Sequence, residues 1–132
     1  MTAEPQQRRP PATNVPEWVR EHYRLVDAAD LEAYIEDFDP DVELRFGPHP
    51  PVRGRDAARE GLEAGHAAHG MAHTIVGFFE DGATSIIEFE VVYSYPDGGT
   101  LETPSCSVIH RNAEGRFDNV RIYLDQHRPS SD

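Results

Sequence analysis

The sequence predicts an α+β fold in which N-terminal helices pack into a curved, mostly antiparallel sheet. Apolar residues recur at helical spacing in the first part of the chain, whereas after about residue 70 they alternate with a period of two. Helices that come first and strands that come last are typical of α+β proteins. The length of 132 residues suits one domain with one core.

Two helices are predicted near the N-terminus. The first begins at Pro16, which suits a first helical turn, and runs to about Ala28 with one apolar stripe. The second begins after Asp30, a residue type that caps helix N-termini, and its inner face includes Phe38. Pro40 is expected to end this helix, because proline cannot continue one.

A strand, a third helix and a meander follow. Residues 41–46 alternate apolar and polar, as a half-buried strand does. Residues 54–70 are rich in alanine and favour a helix, which Gly70 is placed to cap. Four alternating segments separated by turn-forming residues then predict antiparallel strands, which are residues 72–80, 84–95, 104–111 and 117–126.

Composition excludes several classes of protein. A formal net charge of -12 would repel nucleic acid and anionic lipid, so we expect neither partner. Cys106 is the single cysteine, which rules out an internal disulfide and favours a cytoplasmic protein. No apolar run approaches the ~20 residues of a membrane span. Residues 1–15 are expected to be a disordered tail and residues 129–132 a short C-terminal tail.

Particular motifs resemble a known superfamily. Residues 23–58 (YRLVDAADLEAYIEDFDPDVELRFGPHPPVRGRDAA) resemble the N-terminal half of ketosteroid isomerases, including the LVD..D.EA turn and the PP..GR loop. The hairpins that end in VRIYLDQ are similar to SnoaL-like polyketide cyclases and the wider nuclear transport factor 2-like superfamily. The resemblance covers residues 16–128 and implies a cone-shaped barrel. With it we expect a hydrophobic small-molecule ligand and a homodimer through the outer sheet face.

The catalytic positions of two related enzyme groups hold other residues here. The helix-one tyrosine of ketosteroid isomerases corresponds to His22, and their strand-one aspartate base to Arg45 or Phe46. Their protonated aspartate corresponds to Ser107, so an isomerase of that mechanism is not expected. The water-activating aspartate of limonene epoxide hydrolase-like enzymes corresponds to Ile122, which weakens that alternative too.

Scytalone dehydratases match better at two positions. Their helix-one aspartate and the histidine that opens the first meander strand correspond to Asp27 and His73, although their two pocket tyrosines are replaced by Val26 and Phe46. A carboxylate fixes the tautomer of an imidazole, which can then act as a general acid or base. We therefore predict Asp27 and His73 as catalytic residues for dehydration, isomerisation or aldol-type cyclisation.

A set of six side chains is expected to bind the substrate. Tyr93 shares the apolar face of its strand, and a helix-one histidine or tyrosine could polarise a substrate oxygen. The set is His22, Tyr23, Phe46, Tyr93, Ser107 and Ile122. A phosphate loop, a dinucleotide fingerprint and a nucleophile elbow are all absent from the sequence, so we expect no cofactor.

A metal site is a competing interpretation. His66, His69 and His73 are spaced by three and four residues, which would place them on one face of a continuous helix. Gly70 and the change of period at Met71 break that helix. We therefore expect no metal, and we expect the first two histidines to be solvated.

Polar residues of the strands are expected on the outer face. Alternation puts Glu88 and Glu90 opposite the apolar residues of their strand. The same argument places Arg121, Tyr123 and Asp125 either on the outer face or at the rim of the pocket, and they could serve a dimer interface.

The alternative to an enzyme is a non-catalytic binding or dimerisation module of the same fold. Its pocket would hold a ligand or be filled by Trp18, Tyr34 and Phe79. A catalytic pair predicts that Asp27→Asn and His73→Ala abolish turnover while folding stays nearly intact. A purely structural pair predicts a loss of stability instead, because one buried polar group is orphaned.

Overall fold

The structure, a computed structural model, describes residues 9–125. The expectations for residues 1–8 and 126–132 lie outside the described residues. Within them, none of the helices is both long and apolar enough to cross a membrane. The elements in chain order are α1 (Glu17–Asp27), α2 (Leu31–Tyr34), a 3-10 helix (Ile35–Asp37), β1 (Phe38–Phe46), β2 (Val52–Arg53), α3 (Arg55–Ala68), β3 (Gly70–Asp81), β4 (Thr84–Ser94), β5 (Thr100–Arg111) and β6 (Phe117–Leu124).

The strands form one six-stranded sheet in the order β2-β1-β6-β5-β4-β3. Strands β3 to β6 are the predicted antiparallel meander, and β1 pairs with β6 in parallel. The sheet is curved and does not close on itself, so the predicted cone has two open edges, β2 and β3. The predicted α+β class is confirmed.

Period-two alternation decides which side of the sheet faces the helices. On β4 the apolar residues Ile87, Phe89, Val91 and Tyr93 are all buried. The intervening glutamates are only half-buried on the opposite face, as predicted. Helix α1 lies on the apolar side and buries Val19 in the same core. The concave face and the helices thus enclose the interior.

The second helix is shorter than predicted. It starts at the expected N-cap, where the Asp30 carboxylate accepts a hydrogen bond from the backbone N–H of Ala33. It passes into the 3-10 helix and then into β1, because Phe38 packs on Phe117 with ring centroids 5.7 Å apart. The prediction that Pro40 ends the helix was wrong. This proline is exposed within β1, where the pairing with β6 is irregular and no ladder donor is required.

The end of the third helix also differs from the prediction. Helix α3 ends at Ala68, and its C-cap is His69 in extended conformation. Gly70 has no positive φ and is already the first residue of β3, so its predicted role as a helix cap was wrong. Pairing of β3 with β4 begins at this glycine, so the helix ends where the backbone joins the sheet.

Part of the segment expected to be a tail contacts the sheet. The backbone N–H of Ala12 donates to the carbonyl of Ile75 over 2.9 Å. The Asn14 side chain donates to the carbonyl of Phe78, and Val15 is buried in the core. Residues 9–15 therefore lie along β3, beside α1.

Candidate active site

A cavity lies between the helices and the concave face of the sheet. The space inside it that the centre of a water-sized sphere can occupy is about 70 Å³. Most of its wall is apolar, and its polar lining side chains are His22, Tyr23, Tyr34, His66, His73, Tyr93, Ser105 and Ser107. Phe46 and Ile122 also line it, so the six positions predicted to bind a substrate all lie in this wall.

His73 is held against α1 by the carboxylate of Asp27. The ring Nδ1 lies 2.6 Å from Oδ1, and the backbone N–H donates to Oδ2 over 2.9 Å. The imidazole is 10% exposed and lines the cavity, whereas the carboxylate is 28% exposed and lies behind it. Two bonds to one carboxylate fix the position and the tautomer of the ring, which leaves Nε2 as the nitrogen that can exchange a proton.

Tyr23 supplies a hydroxyl next to this imidazole. Its ring centroid lies 5.2 Å from that of His73, and its side chain is hydrogen bonded to that of Ser107. Burial raises the pKa of Tyr23 above its usual value of 10.0, although the bond to Ser107 opposes the shift. The phenol therefore keeps its proton at neutral pH and is a hydrogen-bond donor.

His66 also lines the cavity, although we expected it to be solvated. The Tyr34 hydroxyl lies 2.6 Å from its Nε2. Burial raises the pKa of Tyr34 and lowers the pKa of His66, so the phenol donates and the neutral imidazole accepts. His69 is buried too, with its ring 4.8 Å from that of Tyr93, so both predictions of solvation were wrong.

Sequence reasoning missed two residues of the site. Asp37 lies 2.8 Å from Nδ1 of His22, and no spacing pattern links a 3-10 helix to α1. His66 did leave a signal, since Leu62, Gly65 and His66 recur at helical spacing and all line the cavity.

Comparison with known protein families identifies the chain. A family model described as the SnoaL-like domain matches residues 19–120. The chain belongs to the SnoaL-like family. No curated protein matches the chain with significant similarity.

Solved structures share this fold at low sequence identity. A protein assigned as a polyketide cyclase from Xanthomonas campestris pv. campestris has a TM-score of 0.74 and 19% identity, covering 81% of this chain and 87% of that one. The epoxide hydrolase/cyclase-like enzyme SalBIII, which has a role in pyran ring formation in the polyether salinomycin, has a TM-score of 0.70 and 20% identity. The match covers 83% of this chain and 89% of that one. An LEH-like epoxide hydrolase from M. tuberculosis has a TM-score of 0.69 and 18% identity, covering 81% of this chain and 79% of that one.

Two of the three side chains expected to fill the pocket of a non-catalytic SnoaL-like module lie elsewhere. Phe79 is exposed on the outer face of the sheet. Trp18 packs edge-on against Phe117, and the guanidinium of Arg111 covers its ring at 3.9 Å. Only Tyr34 lines the cavity, where it binds His66.

The remaining polar residues of this SnoaL-like domain lie outside the cavity. Tyr123 is exposed, while its neighbours Ile122 and Leu124 line the cavity, as the alternation of β6 predicts. Glu88 pairs with Arg9 over 3.2 Å. Among residues 9–125, no group of three or more His, Cys, Asp or Glu side chains is arranged to hold a metal ion.

Proposed function

We propose that this SnoaL-like protein is an enzyme that transfers protons by general acid/base catalysis on a hydrophobic, oxygenated small molecule. One observation carries the proposal: the Asp27 carboxylate holds both the ring and the backbone of His73 while the ring faces an apolar cavity. Polar groups that converge on an apolar pocket are typical of catalytic sites. Dehydration, isomerisation and aldol-type cyclisation are the reactions that such a group supports.

His73 exchanges the proton and Asp27 holds it in place. With Nδ1 bonded to the carboxylate, Nε2 takes a proton from carbon next to a carbonyl, or gives one to a departing hydroxyl. The carboxylate stabilises the imidazolium that forms when Nε2 accepts a proton. The apolar wall strengthens these interactions because it excludes water.

The tyrosines and serines of the wall bind the substrate's oxygens. Tyr23 remains protonated and Ser107 can donate to its oxygen, which leaves the phenol hydrogen for a carbonyl or an enolate. Tyr93 and Ser105 lie in the same wall. This lining favours a molecule that presents several oxygens on an apolar frame.

Structural similarity suggests which compounds to try first. The similar proteins include one assigned as a polyketide cyclase and one of pyran ring formation in a polyether. Together with the apolar lining, this makes polyketide-like aromatics the leading class, followed by steroids, terpenoid alcohols and epoxides.

The test is a thermal-shift screen of these compounds followed by mass spectrometry of the incubated mixtures. A ligand at a hundredfold its Kd stabilises a protein by about 2.7 kcal/mol, so binding at the cavity raises Tm measurably. We expect a compound that binds the wild type to be converted, and His73→Gln to prevent conversion. His110→Gln is the matched control, because His110 also bonds an aspartate but lies on the outer face.

Two results would contradict the proposal. One is a compound that binds wild type and His73→Gln alike and is recovered unchanged from both, which identifies a non-catalytic binding module. The other is a His73→Gln protein that converts the compound as fast as His110→Gln does.

A further inference from the structure

A second histidine of the cavity is also held by a carboxylate. Nδ1 of His22 on α1 lies 2.8 Å from Oδ2 of Asp37, in the 3-10 helix that precedes β1. The imidazole is 5% exposed and the carboxylate 42%. The ring therefore lies inside, and its partner reaches the surface.

This arrangement repeats that of His73 and Asp27. In both pairs Nδ1 faces the carboxylate, the ring lines the cavity and the carboxylate is the more exposed partner. The ring of Tyr23 packs near both imidazoles, with centroids 5.0 Å from His22 and 5.2 Å from His73. Both imidazoles thus lie next to one phenol in the same wall.

The surroundings of His22 favour its neutral form. Its ring lies among aromatic rings, with centroids 5.4 Å from Tyr34 and 4.8 Å from Phe117. Burial lowers the pKa of His22, the contact with Asp37 raises it, and the nearby His73 lowers it further. At neutral pH this imidazole has a free lone pair on Nε2, which suits an acceptor of protons.

We propose that His22 is the group that accepts the substrate's proton, that Asp37 positions it, and that His73 is the group that returns a proton. This inference rests on the proposed function. It assigns the removal of the substrate's proton and the return of a proton to two different imidazoles. In a dehydration, Nε2 of His22 takes the proton from carbon, and the C–H electron pair forms the new C=C bond. His73 gives its proton to the hydroxyl, which leaves as water with the electron pair of the C–O bond.

The proton count closes without another reactant. The pair begins with the proton on His73 and ends with it on His22, so the total charge on the two imidazoles is unchanged. Solvent reaches both carboxylates and can restore the starting state. An aldol-type cyclisation follows the same count, since the returned proton goes to the new alkoxide.

A simple probe reaction tests the same two groups and needs no knowledge of the natural substrate. In the elimination of nitrobenzisoxazole, a base takes the ring C–H proton and the C–H electrons form a nitrile. The N–O bond breaks with its electron pair on oxygen, which leaves as a coloured cyano-nitrophenolate, and a proton donor such as protonated His73 stabilises the negative charge that develops on this oxygen. The rate is measured from pH 5 to pH 9, a range of about two units on each side of neutrality that brackets imidazole titration.

The variants are His22→Gln, Asp37→Asn and His73→Gln, with His110→Gln as the surface control. We expect each of the two cavity histidine variants to lose roughly tenfold or more of the wild-type acceleration, and the control to lose none. Asp37→Asn removes the anion that raises the pKa of His22. Activity is lost when this acceptor becomes protonated, so the acid limb of the pH profile should move to lower pH by roughly one unit.

The outcomes separate this inference from the proposed function. Loss of rate in both histidine variants with the acid limb displaced supports both. A His22→Gln protein with the wild-type rate, beside an inactive His73→Gln protein, overturns the inference and keeps the proposed function. A wild type no faster than free imidazole overturns both.

A second measurement applies if His22→Gln does not fold. The histidine rings of the wild type are followed by proton–nitrogen NMR while cyano-nitrophenol is added. Nε2 of both His22 and His73 should shift, because both face the bound phenol. A response from His73 alone, with His22 unchanged, overturns the inference.

Discussion

The two faces of one sheet carry the same kinds of side chain in opposite settings. His73 on β3 and His110 on β5 each bond an aspartate through Nδ1 at 2.6 Å. The inner pair is 10% and 28% exposed, whereas the outer pair, His110 with Asp118, is 44% and 36% exposed. The bond lengths are equal, so burial and the cavity beside the ring are what distinguish a candidate site from a surface ion pair.

Replacing each aspartate by asparagine, in separate variants, should give the largest difference between the inner and the outer pair. Asp27→Asn removes the charge that stabilises the imidazolium of His73, and we expect turnover to fall about a hundredfold or more. Its free energy of unfolding should change by less than about 1 kcal/mol, because asparagine keeps one acceptor in place. Asp118→Asn should change neither quantity. Steady-state kinetics and urea unfolding of both variants provide the test.

One result would contradict this expectation for Asp27→Asn. If the variant loses several kcal/mol of stability while its folded fraction keeps its turnover, the inner pair serves folding alone. The outer pair then differs from it only in burial.

Two phenylalanines extend the comparison to packing. Phe89 on the inner face is fully buried against Tyr23 and His73, with ring centroids at 4.6 Å and 4.9 Å. Phe79 on the outer face is exposed. We expect Phe89→Ala to cost about 3–5 kcal/mol of unfolding free energy, since it leaves a cavity. Phe79→Ala should cost less than about 0.5 kcal/mol.

Urea unfolding with constant slope measures both. Equal losses of unfolding free energy would mean that Phe79 is also buried in solution, so that another surface covers the outer face of the sheet.

The face of the sheet on which each strand residue lies could be predicted, because successive side chains along a strand alternate between the two faces. A residue two positions from a buried one faces the same way, which is why Tyr93 and Ile122 were placed in the cavity wall and Tyr123 outside it. Asp27 and His73 were found through the resemblance to scytalone dehydratases, since no local pattern joins residues 46 positions apart.

What the sequence did not predict depends on how elements pack. Asp37 reaches His22 because the chain leaves α2 through a 3-10 helix, and that early exit is imposed by Phe38 in the core. His66 faces the cavity because α3 lays its last turn over Tyr34. Local propensity favoured a longer second helix, and tertiary contacts overrode it.

The pH dependence of stability tests the inner histidine His22. Burial lowers the pKa of His22 below its usual 6.5, so the unfolded chain binds this proton more readily than the folded one. Stability therefore falls as the pH drops below about 6.5, and continues to fall until the pKa of the folded state is reached.

The measurement is the free energy of unfolding between pH 7 and pH 5, two values about one unit on either side of the ordinary histidine pKa. His22→Gln should lose less stability than the wild type over the same range, because it has no imidazole to protonate at this position. Parallel curves for the two proteins would show that His22 titrates as it does in the unfolded chain.

The outer face offers the smallest expected effect on the fold and a separate effect on assembly. Ile86 is exposed there directly opposite Phe79 on the neighbouring strand, and Tyr123 is exposed on β6. The predicted homodimer would cover this face. Ile86→Lys should alter the unfolding free energy by less than about 0.5 kcal/mol, because the residue is already exposed.

The same substitution should separate the subunits of the predicted dimer. A lysine buried without a partner at an interface is costly, so light scattering should report a dimer for the wild type and a monomer for Ile86→Lys. A monomeric wild type would show that the outer face is simply solvated. A variant that remains dimeric would place the interface elsewhere. If the monomer still turns over substrate, the concave face is a complete site within one chain and the two faces of the sheet act independently.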